Sequence, residues 1–341
     1  MSKFRWFFRS VCVMLALAVG GSVLAKDDQP KEGALDKYIN RDAKDVGTRL
    51  EVLQTTAYEA DQNVIALSFM QEYGDRIRMK RVYFPTPDKL LIPGYVFSPV
   101  KREPGKRYPA VVIVHGGIHE HLDWPFFPMI EAAISHGFVV IFPEYRGSRG
   151  YGAEHYRNDY GVTDAADVIA AGDYIARQDF VDSSAVSIMG HSRGGMVTLN
   201  AIEKAPKRFK AAVDIAGLAD FVAYMAYKPE YRRQEVANES PSFNGKLPFE
   251  NLPVYMDVSP INHVDKIQTP LLVIGTLGDK IVPWQLHSGR LIDALKAQGK
   301  TFEVKLYDAA PGGHVYIYGD SDETRDTFDR AFKFIAKYSR N

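Results

Sequence analysis

Short apolar runs alternate along the chain with segments whose apolar residues recur every three or four positions. Residues 109–114 and 185–189 are almost wholly apolar, which is typical of strands buried on both faces of a parallel sheet. Between them, residues 164–177 carry apolar side chains at helical spacing. This alternation predicts a mostly parallel, doubly wound α/β sheet.

The flanking segments extend the pattern in both directions. Residues 77–85 and 90–99 predict an antiparallel hairpin at the N-terminal side of the sheet. Residues 26 to about 60 are polar and predict a flexible start followed by a helix. The remaining predicted strands are residues 138–142, 210–215, 270–275 and 302–307, and the remaining predicted helices are residues 194–204, 284–297 and 323–337.

One long insertion interrupts the alternation. Residues 218–265 separate two predicted strands by far more than the usual few residues, and they carry seven Tyr and Phe side chains among prolines. A segment of this kind either covers a site as a lid or wall, or packs on the sheet as a helical excursion. Both alternatives remain open from the sequence.

The N-terminal residues have the pattern of an export signal. Lys3, Arg5 and Arg9 precede an apolar run, and the small residues after that run end at Ala25. The run is shorter than the roughly 20 apolar residues that span a bilayer, which favours a cleavable signal over an uncleaved anchor. We therefore predict a periplasmic or secreted protein that has no membrane contact after cleavage.

These features predict three segments: a signal peptide over residues 1–25, an N-terminal extension over residues 26–74 and one large domain over residues 75–341.

Lys and Arg together number 42, as do Asp and Glu, so no basic excess indicates a nucleic-acid partner. Removing the signal would leave 39 basic and 42 acidic residues and would remove Cys12, the only cysteine. Thiol catalysis and cysteine-ligated metal are then excluded for the mature chain.

The segment Gly190-His191-Ser192-Arg193-Gly194 lies between a predicted strand and a predicted helix. A serine on such a strand-to-helix turn is the nucleophile elbow of α/β-hydrolases, whose glycines make room for the tight turn. The predicted fold class is therefore an α/β-hydrolase, with Ser192 as the candidate nucleophile. The motif is short, so its meaning depends on partners elsewhere in the chain.

A serine hydroxyl needs a base, and the base needs a carboxylate that orients it. In this fold the order along the chain is Ser, then Asp or Glu, then His. Asp279 follows the predicted strand 270–275, whereas Asp257 and Asp265 lie in the insertion before that strand. His314 follows the last predicted strand, in Pro311-Gly312-Gly313-His314, whereas the rival His287 falls inside a predicted helix. We therefore predict that Asp279 and His314 complete a catalytic triad.

An oxyanion hole requires two N–H groups aimed at the developing negative charge. The amide of Arg193 follows the serine, and the loop His115-Gly116-Gly117 offers the amide of Gly117, with Gly116 as the alternative. The simplest expectation for the Arg193 side chain is solvation at the helix start. The nearby His119, Glu120 and His121 lack the spacing of a helical metal motif, so no metal site is predicted.

Several motifs in one order resemble the catalytic domain of the prolyl oligopeptidase family of serine peptidases. The resemblance covers roughly residues 75 to 340. It rests on His115-Gly116-Gly117, Tyr-Arg-Gly-Ser-Arg-Gly-Tyr-Gly over residues 145–152, the elbow around Ser192, the loop from Asp279 to Pro283, and Gly313-His314. It implies a Ser192–Asp279–His314 triad and hydrolysis through an acyl-enzyme.

Three features depart from that family. Its peptidases usually carry a β-propeller before the catalytic domain, and too few residues precede the first predicted strand for one. His115 stands where some members have a Tyr whose hydroxyl serves the oxyanion hole, and Glu144 stands where Asn is frequent. These departures leave the peptide specificity open.

The sequence therefore predicts an exported serine hydrolase that needs no cofactor and takes a small peptide or ester substrate. Peptidase and carboxylesterase or acetylesterase use the same acid–base groups, so both activities remain open. A binding protein that reuses the fold without catalysis is the alternative from another functional class, and it predicts a broken triad.

Overall fold

The computed structural model of the protein describes residues 46–339. The chain divides into two compact units, residues 1–53 and 54–341. In the first unit the described residues are helical, and the sheet and candidate site lie in the second. The predicted signal peptide falls outside the described residues.

Eight strands of the described chain form one sheet in the order β1-β2-β4-β3-β5-β6-β7-β8. Strand β2 pairs antiparallel with both β1 and β4, and every other pairing is parallel. The predicted antiparallel hairpin and the mostly parallel sheet are therefore confirmed. The strands are β1 (Ile77–Pro85), β2 (Leu91–Pro99), β3 (Tyr108–Val114), β4 (Val139–Pro143), β5 (Val181–His191), β6 (Ala212–Ile215), β7 (Leu271–Thr276) and β8 (Phe302–Tyr307).

Helices cover both faces of the sheet. Within residues 46–339 the α-helices are α1 (Val46–Tyr73), α2 (Phe127–Ser135), α3 (Ala153–Tyr156), α4 (Thr163–Ala176), α5 (Arg193–Lys204), α6 (Phe221–Tyr227), α7 (Glu230–Glu239), α8 (Leu252–Asp257), α9 (Ser288–Ala297) and α10 (Asp322–Ser339). The 3-10 helices are Trp124–Phe126, Pro260–Lys266 and Gly313–Tyr318. None of the helices described is both long and apolar enough to cross a bilayer.

Successive side chains along each central strand pack alternately into the apolar clusters on the two faces of the sheet. In β3, Val111 and Ile113 pack into the apolar cluster that includes residues of α2 and α10. Their neighbours Val112 and Val114 pack into the cluster on the other face, with residues of α4, α5 and α9. Because both faces are buried, the strands need apolar residues at every position, which explains the continuous runs in the sequence.

Two predicted boundaries were wrong. The helix expected over residues 284–297 begins only at Ser288, because Trp284 to His287 form a turn after Pro283 and the Trp284 ring packs over the backbone of Gly275. The helix expected before residue 60 continues to Tyr73, since Ile65 and Phe69 bury their side chains in the core of the second unit.

Candidate active site

Ser192 occupies a sharp turn between β5 and α5. Its φ is 57° and its ψ is −122°, a conformation that a residue with a Cβ adopts only when the surroundings enforce it. A Cβ at Gly190 would lie 2.1 Å from the carbonyl oxygen of Gly194, and a Cβ at Gly194 would lie 2.3 Å from that of Val114. Both glycines are therefore required by close backbone contact, as expected for a nucleophile elbow.

The structure brings Ser192, His314 and Asp279 into one chain of hydrogen bonds. His314 Nε2 lies 2.7 Å from Ser192 Oγ, and His314 Nδ1 lies 2.6 Å from Asp279 Oδ2. A carboxylate only accepts, so Nδ1 carries the proton and Nε2 has a free lone pair that accepts from the serine hydroxyl. This is the tautomer in which a histidine can remove the serine proton.

Asp279 is held in the loop after β7 by its own backbone neighbours. Its Oδ1 accepts from the N–H groups of Ile281 and Val282, each at 2.8 Å. Burial alone would raise the pKa of Asp279, but the hydrogen bond and charge of His314 and the two amides outweigh burial and lower it. The carboxylate is therefore charged at neutral pH and can hold the His314 proton.

His314 lies on the short 3-10 helix Gly313–Tyr318, after a left-handed residue at Gly312 with φ 91°. Its ring is buried, and His287, the rival histidine, lies elsewhere, where its Nε2 is 2.8 Å from the Tyr227 hydroxyl. Asp257 and Asp265 lie in the insertion, where Asp257 Oδ1 is 3.5 Å from His263 Nε2 and the Asp265 carbonyl oxygen accepts from Lys300. The structure thus separates the favoured partners of Ser192 from the rivals considered in the sequence.

The loop proposed for the oxyanion hole lies against Ser192. A Cβ at Gly116 would come within 3.4 Å of the Ser192 Cβ, and Gly117 has φ 57°. Within the described residues, the amides of Gly117 and Arg193 have no hydrogen-bond acceptor. Both amides are therefore available to a bound oxygen.

The His115 ring is buried under this loop rather than presented to a substrate. Its Nδ1 lies 2.8 Å from the Gly116 carbonyl oxygen, and its Nε2 lies 2.8 Å from Ser148 Oγ. The Tyr145 ring stacks on it at 4.2 Å. Desolvation by burial lowers the pKa of His115 to about 3, so the ring is neutral and does not supply a charge to the hole.

The expectation of a solvated Arg193 side chain was wrong. The side chain is buried; its Nη2 donates to Asp164 Oδ2 at 2.6 Å, and its guanidinium lies 3.7 Å from the centre of the Tyr160 ring. The sequence carried no signal for this pairing, because Asp164 lies in the first turn of α4, 29 residues upstream. The pair holds the side chain of the first residue of α5, which directly follows the serine.

An apolar cavity of about 70 Å³ opens beside Ser192. The insertion supplies much of its wall from α6 and α7, and the remainder comes from the loop 115–118, the start of α5, Tyr160 and the loop after β7. Its lining residues are Gly117, Ile118, Tyr160, Ser192, Arg193, Leu218, Phe221, Tyr224, Arg232, Val236, Ile281 and Val282. The insertion therefore forms a wall of the site, and its movement as a lid stays a prediction.

His119 and Glu120, near the mouth of this site, both contact the backbone of neighbouring loops. His119 Nδ1 lies 2.7 Å from the Gly147 carbonyl oxygen, and the Glu120 side chain packs against Gly117. In residues 46–339 no group of three or more His, Cys, Asp or Glu side chains is arranged to hold a metal ion.

Comparison with known sequences decides the family. The prolyl oligopeptidase family profile matches residues 124–341, which include Ser192, Asp279 and His314. The chain belongs to the prolyl oligopeptidase family. It is 29% identical over 234 residues to the uncharacterized peptidase YuxL of Bacillus subtilis, covering 67% of this chain and 34% of YuxL. It is also 29% identical over 226 residues to the acylamino-acid-releasing enzyme of Arabidopsis thaliana, covering 62% of this chain and 28% of that enzyme.

Solved structures of similar proteins show the same fold. A puromycin-hydrolyzing peptidase of Mycobacterium tuberculosis superposes with a TM-score of 0.66 at 25% identity, over 77% of this chain and 40% of that chain. An acylaminoacyl peptidase bound to Z-Gly-Gly-Phe-chloromethyl ketone superposes with a TM-score of 0.64 at 23% identity, over 78% of this chain and 42% of that chain. The α/β-hydrolase fold is thereby confirmed, and the chain spans between 28% and 42% of the length of these four similar proteins.

Proposed function

We propose that this protein is an exported serine peptidase that hydrolyses amide bonds of small peptides through an acyl-enzyme. The observation that carries the proposal is the uninterrupted chain of hydrogen bonds from Ser192 Oγ through His314 to Asp279. Membership of a family of serine peptidases supports the reaction class. An intact set of three groups also disfavours a non-catalytic binding protein.

The geometry suits the following reaction. His314 Nε2 takes the proton of Ser192 as Oγ attacks the carbonyl carbon, and the amides of Gly117 and Arg193 stabilise the oxyanion. His314 then gives that proton to the leaving amine, which leaves an ester between Ser192 and the acyl group. Water, deprotonated by His314, hydrolyses this ester and restores the enzyme. Asp279 keeps the His314 tautomer and stabilises the imidazolium form throughout.

The cavity beside Ser192 suits an apolar side chain on the acyl side of the cleaved bond. Phe221, Tyr224 and Val236 present apolar and aromatic surface there, within reach of a group covalently attached to Ser192. The names of two similar proteins, acylamino-acid-releasing enzyme and puromycin-hydrolyzing peptidase, support an amide substrate. We therefore propose a short or N-acylated peptide with an apolar residue before the cleaved bond.

Hydrolysis of small acyl esters is the second candidate. The cavity has a volume of only about 70 Å³, so it suits a small acyl group such as acetyl as well as it suits a peptide side chain. The acid–base groups are identical for both reactions, so substrate comparison has to separate them.

Labelling with a fluorophosphonate followed by peptide mapping tests the catalytic serine. We expect label on Ser192 and a loss of at least about 10³-fold in kcat for Ser192→Ala. Ser187→Ala is the matched control, because Ser187 is buried in β5, the strand that precedes Ser192, with no hydrogen-bond partner for its Oγ among the described residues. Full activity of Ser192→Ala would reject the proposal.

A substrate panel separates the two candidates. N-acetylated peptide anilides with apolar and charged residues before the anilide should be compared with aryl acetates and acetylated sugars. Higher kcat/KM on an apolar peptide amide than on acetyl esters of similar reactivity supports the peptidase, and the reverse order supports the esterase.

Export is a separate part of the proposal. It rests on the basic and apolar pattern of residues 1–25, which lie outside the described residues. Expression of the full chain in a bacterium, with fractionation and N-terminal sequencing, should yield a periplasmic or secreted protein that begins at Lys26. A cytoplasmic protein that retains residues 1–25 would contradict it.

A further inference from the structure

His191, the residue before the serine, contacts both ends of the turn that carries His314. Its Nε2 lies 2.8 Å from the carbonyl oxygen of His314, and its Nδ1 lies 3.2 Å from the hydroxyl of Tyr318. The two imidazole rings are 4.8 Å apart between centres, at an angle of 39°. His191 is buried, and nothing in the reaction scheme above uses its side chain.

The two contacts determine the tautomer of His191. A carbonyl oxygen only accepts, so Nε2 carries the proton and donates to His314. In a neutral ring Nδ1 is then an acceptor, and the Tyr318 O–H donates to it. Tyr318 therefore donates to His191, and His191 donates to the His314 carbonyl oxygen. The two hydrogen bonds connect both ends of the turn through one side chain.

The His314 turn is held by hydrogen bonds from residues outside it: the Thr324 hydroxyl donates to the Tyr316 carbonyl oxygen at 2.6 Å, and His191 donates to that of His314 at 2.8 Å. It is a short 3-10 helix interrupted at Val315, and both its first residue, Gly313, and the preceding Gly312 have positive φ. Such a segment has fewer internal hydrogen bonds than a strand or an α-helix to define the position of its residues. The backbone of His191, in contrast, ends β5 and pairs in register with Ile215 of β6.

We propose that His191, with Tyr318 behind it, is a positioning residue that sets the distance between His314 Nε2 and Ser192 Oγ. The inference rests on the proposed function, in which His314 is the base. His191 and Ser192 are adjacent in the chain, so the end of β5 positions the serine through the backbone and His314 through the His191 side chain. The turn that carries His314 therefore cannot shift far relative to Ser192.

A neutral His191 is compatible with turnover. His314 becomes an imidazolium during the reaction, and a second charged ring at this distance would oppose it. Desolvation by burial, together with the repulsion from a charged His314, lowers the pKa of His191 to about 3. The ring therefore keeps its tautomer while His314 gains and loses its proton.

Three variants test the proposal on the full chain. His191→Leu removes both hydrogen bonds, Tyr318→Phe removes one oxygen atom, and His191→Gln keeps an N–H donor for the His314 carbonyl. We expect His191→Leu to lower kcat on a peptide amide roughly 10- to 100-fold at unchanged KM, the size expected for a misplaced base. Tyr318→Phe should lose about threefold to tenfold, and His191→Gln should recover most of the loss.

Three further measurements distinguish positioning from folding. Ser192 should remain fully titratable by a fluorophosphonate in every variant, although it is labelled more slowly. The far-downfield proton resonance of the His314–Asp279 hydrogen bond should broaden or shift in His191→Leu and return in His191→Gln. His136→Leu, the same change at a partly buried histidine whose Nε2 lies 3.3 Å from Asp329 Oδ1, controls for loss of an imidazole and should leave kcat near that of the wild type.

The outcomes separate this inference from the proposed function. Wild-type kcat and an unchanged downfield resonance in both His191→Leu and Tyr318→Phe would overturn the positioning role while Ser192 remains the labelled nucleophile. Equal losses in His191→Leu and His191→Gln, in step with their melting temperatures, would overturn it in favour of packing. Failure of the proposed function would instead appear as an unlabelled wild-type protein or an active Ser192→Ala variant.

Discussion

The Tyr145 hydroxyl lies 3.1 Å from the carbonyl oxygen of Gly117 and 3.1 Å from that of His115. One buried side chain thus bridges both ends of the loop that carries the proposed oxyanion amide. Tyr145→Phe keeps the stacking on the His115 ring and removes only the bridge, so we expect kcat to fall about tenfold with little change in KM. Steady-state kinetics on a peptide anilide measure this.

The stability of Tyr145→Phe should fall by only about 1 kcal/mol, as for the loss of one neutral hydrogen bond. Tyr231→Phe, at an exposed tyrosine of the insertion, is the matched control and should change neither quantity. Unaltered kcat in Tyr145→Phe would show that the loop keeps its position without the bridge.

Asp279→Asn should leave the fold intact and disable the reaction. The amide oxygen can still accept from Ile281 and Val282, so the loop keeps its hydrogen bonds. The amide nitrogen, however, donates toward His314 Nδ1, which forces the proton onto Nε2 and removes the acceptor for Ser192. We expect kcat to fall about 10³- to 10⁴-fold, with an unchanged far-UV circular dichroism spectrum.

The matched control for this change is Asp265→Asn, at the rival aspartate in the insertion. It should retain wild-type kcat, because its side chain has no hydrogen bond to His314. A comparable loss in both variants would assign the effect to charge rather than to the His314 tautomer.

The strand ends were predictable, and so was the local setting of the candidate groups. Strands buried on both faces need continuous apolar runs, and Ser192, Asp279 and His314 each follow such a strand in the order expected for the fold. The sequence could not give the hydrogen bonds between these three residues, but it did indicate that they lie at the same edge of the sheet.

The supporting contacts were not predictable, because each joins segments that are distant in the chain. Arg193 pairs with Asp164 across 29 residues, and His191 contacts Tyr318 across 127. No periodicity or local propensity encodes such pairs, which depend on how helices pack on the sheet. The only sequence signal for Tyr145 was its place in the Tyr-Arg-Gly-Ser segment, and that segment identifies a family rather than a contact.

Glu144 should make the stability of the protein fall as pH rises. It is fully buried, its Oε1 accepts from the Leu122 N–H at 2.8 Å, and desolvation by burial raises its pKa to about 8 from a usual value of 4.5. Between these values the folded state holds a proton that the unfolded state has lost. The contribution of Glu144 is therefore fully present below about pH 4.5 and is lost as pH rises through about 8.

Glu144→Gln should remove this dependence, because an amide oxygen can accept from Leu122 and does not titrate. Chemical denaturation at pH 5, 6.5 and 8 should show that the free energy of unfolding of the variant rises relative to that of the wild type as pH rises, by up to about 1.4 kcal/mol per pH unit. Glu59→Gln, at an exposed position of α1, should run parallel to the wild type. If Glu144→Gln also runs parallel, burial does not raise the pKa of Glu144.

Val236 offers a test of the cavity as the site for the acyl side chain. It lies on α7 of the insertion, is buried and lines the cavity beside Ser192. Val236→Phe adds volume to a space of about 70 Å³, so a bulky apolar residue before the cleaved bond should no longer fit. We expect kcat/KM for a leucyl or phenylalanyl anilide to fall roughly 10- to 100-fold, while hydrolysis of an aryl acetate stays within about twofold.

Val254→Phe is the matched control, since Val254 packs on the same apolar cluster of the insertion without lining the cavity. If both variants lose activity on every substrate alike, the insertion supports the fold without selecting the acyl group; selective loss in Val236→Phe alone would assign this wall the role of recognising the substrate side chain.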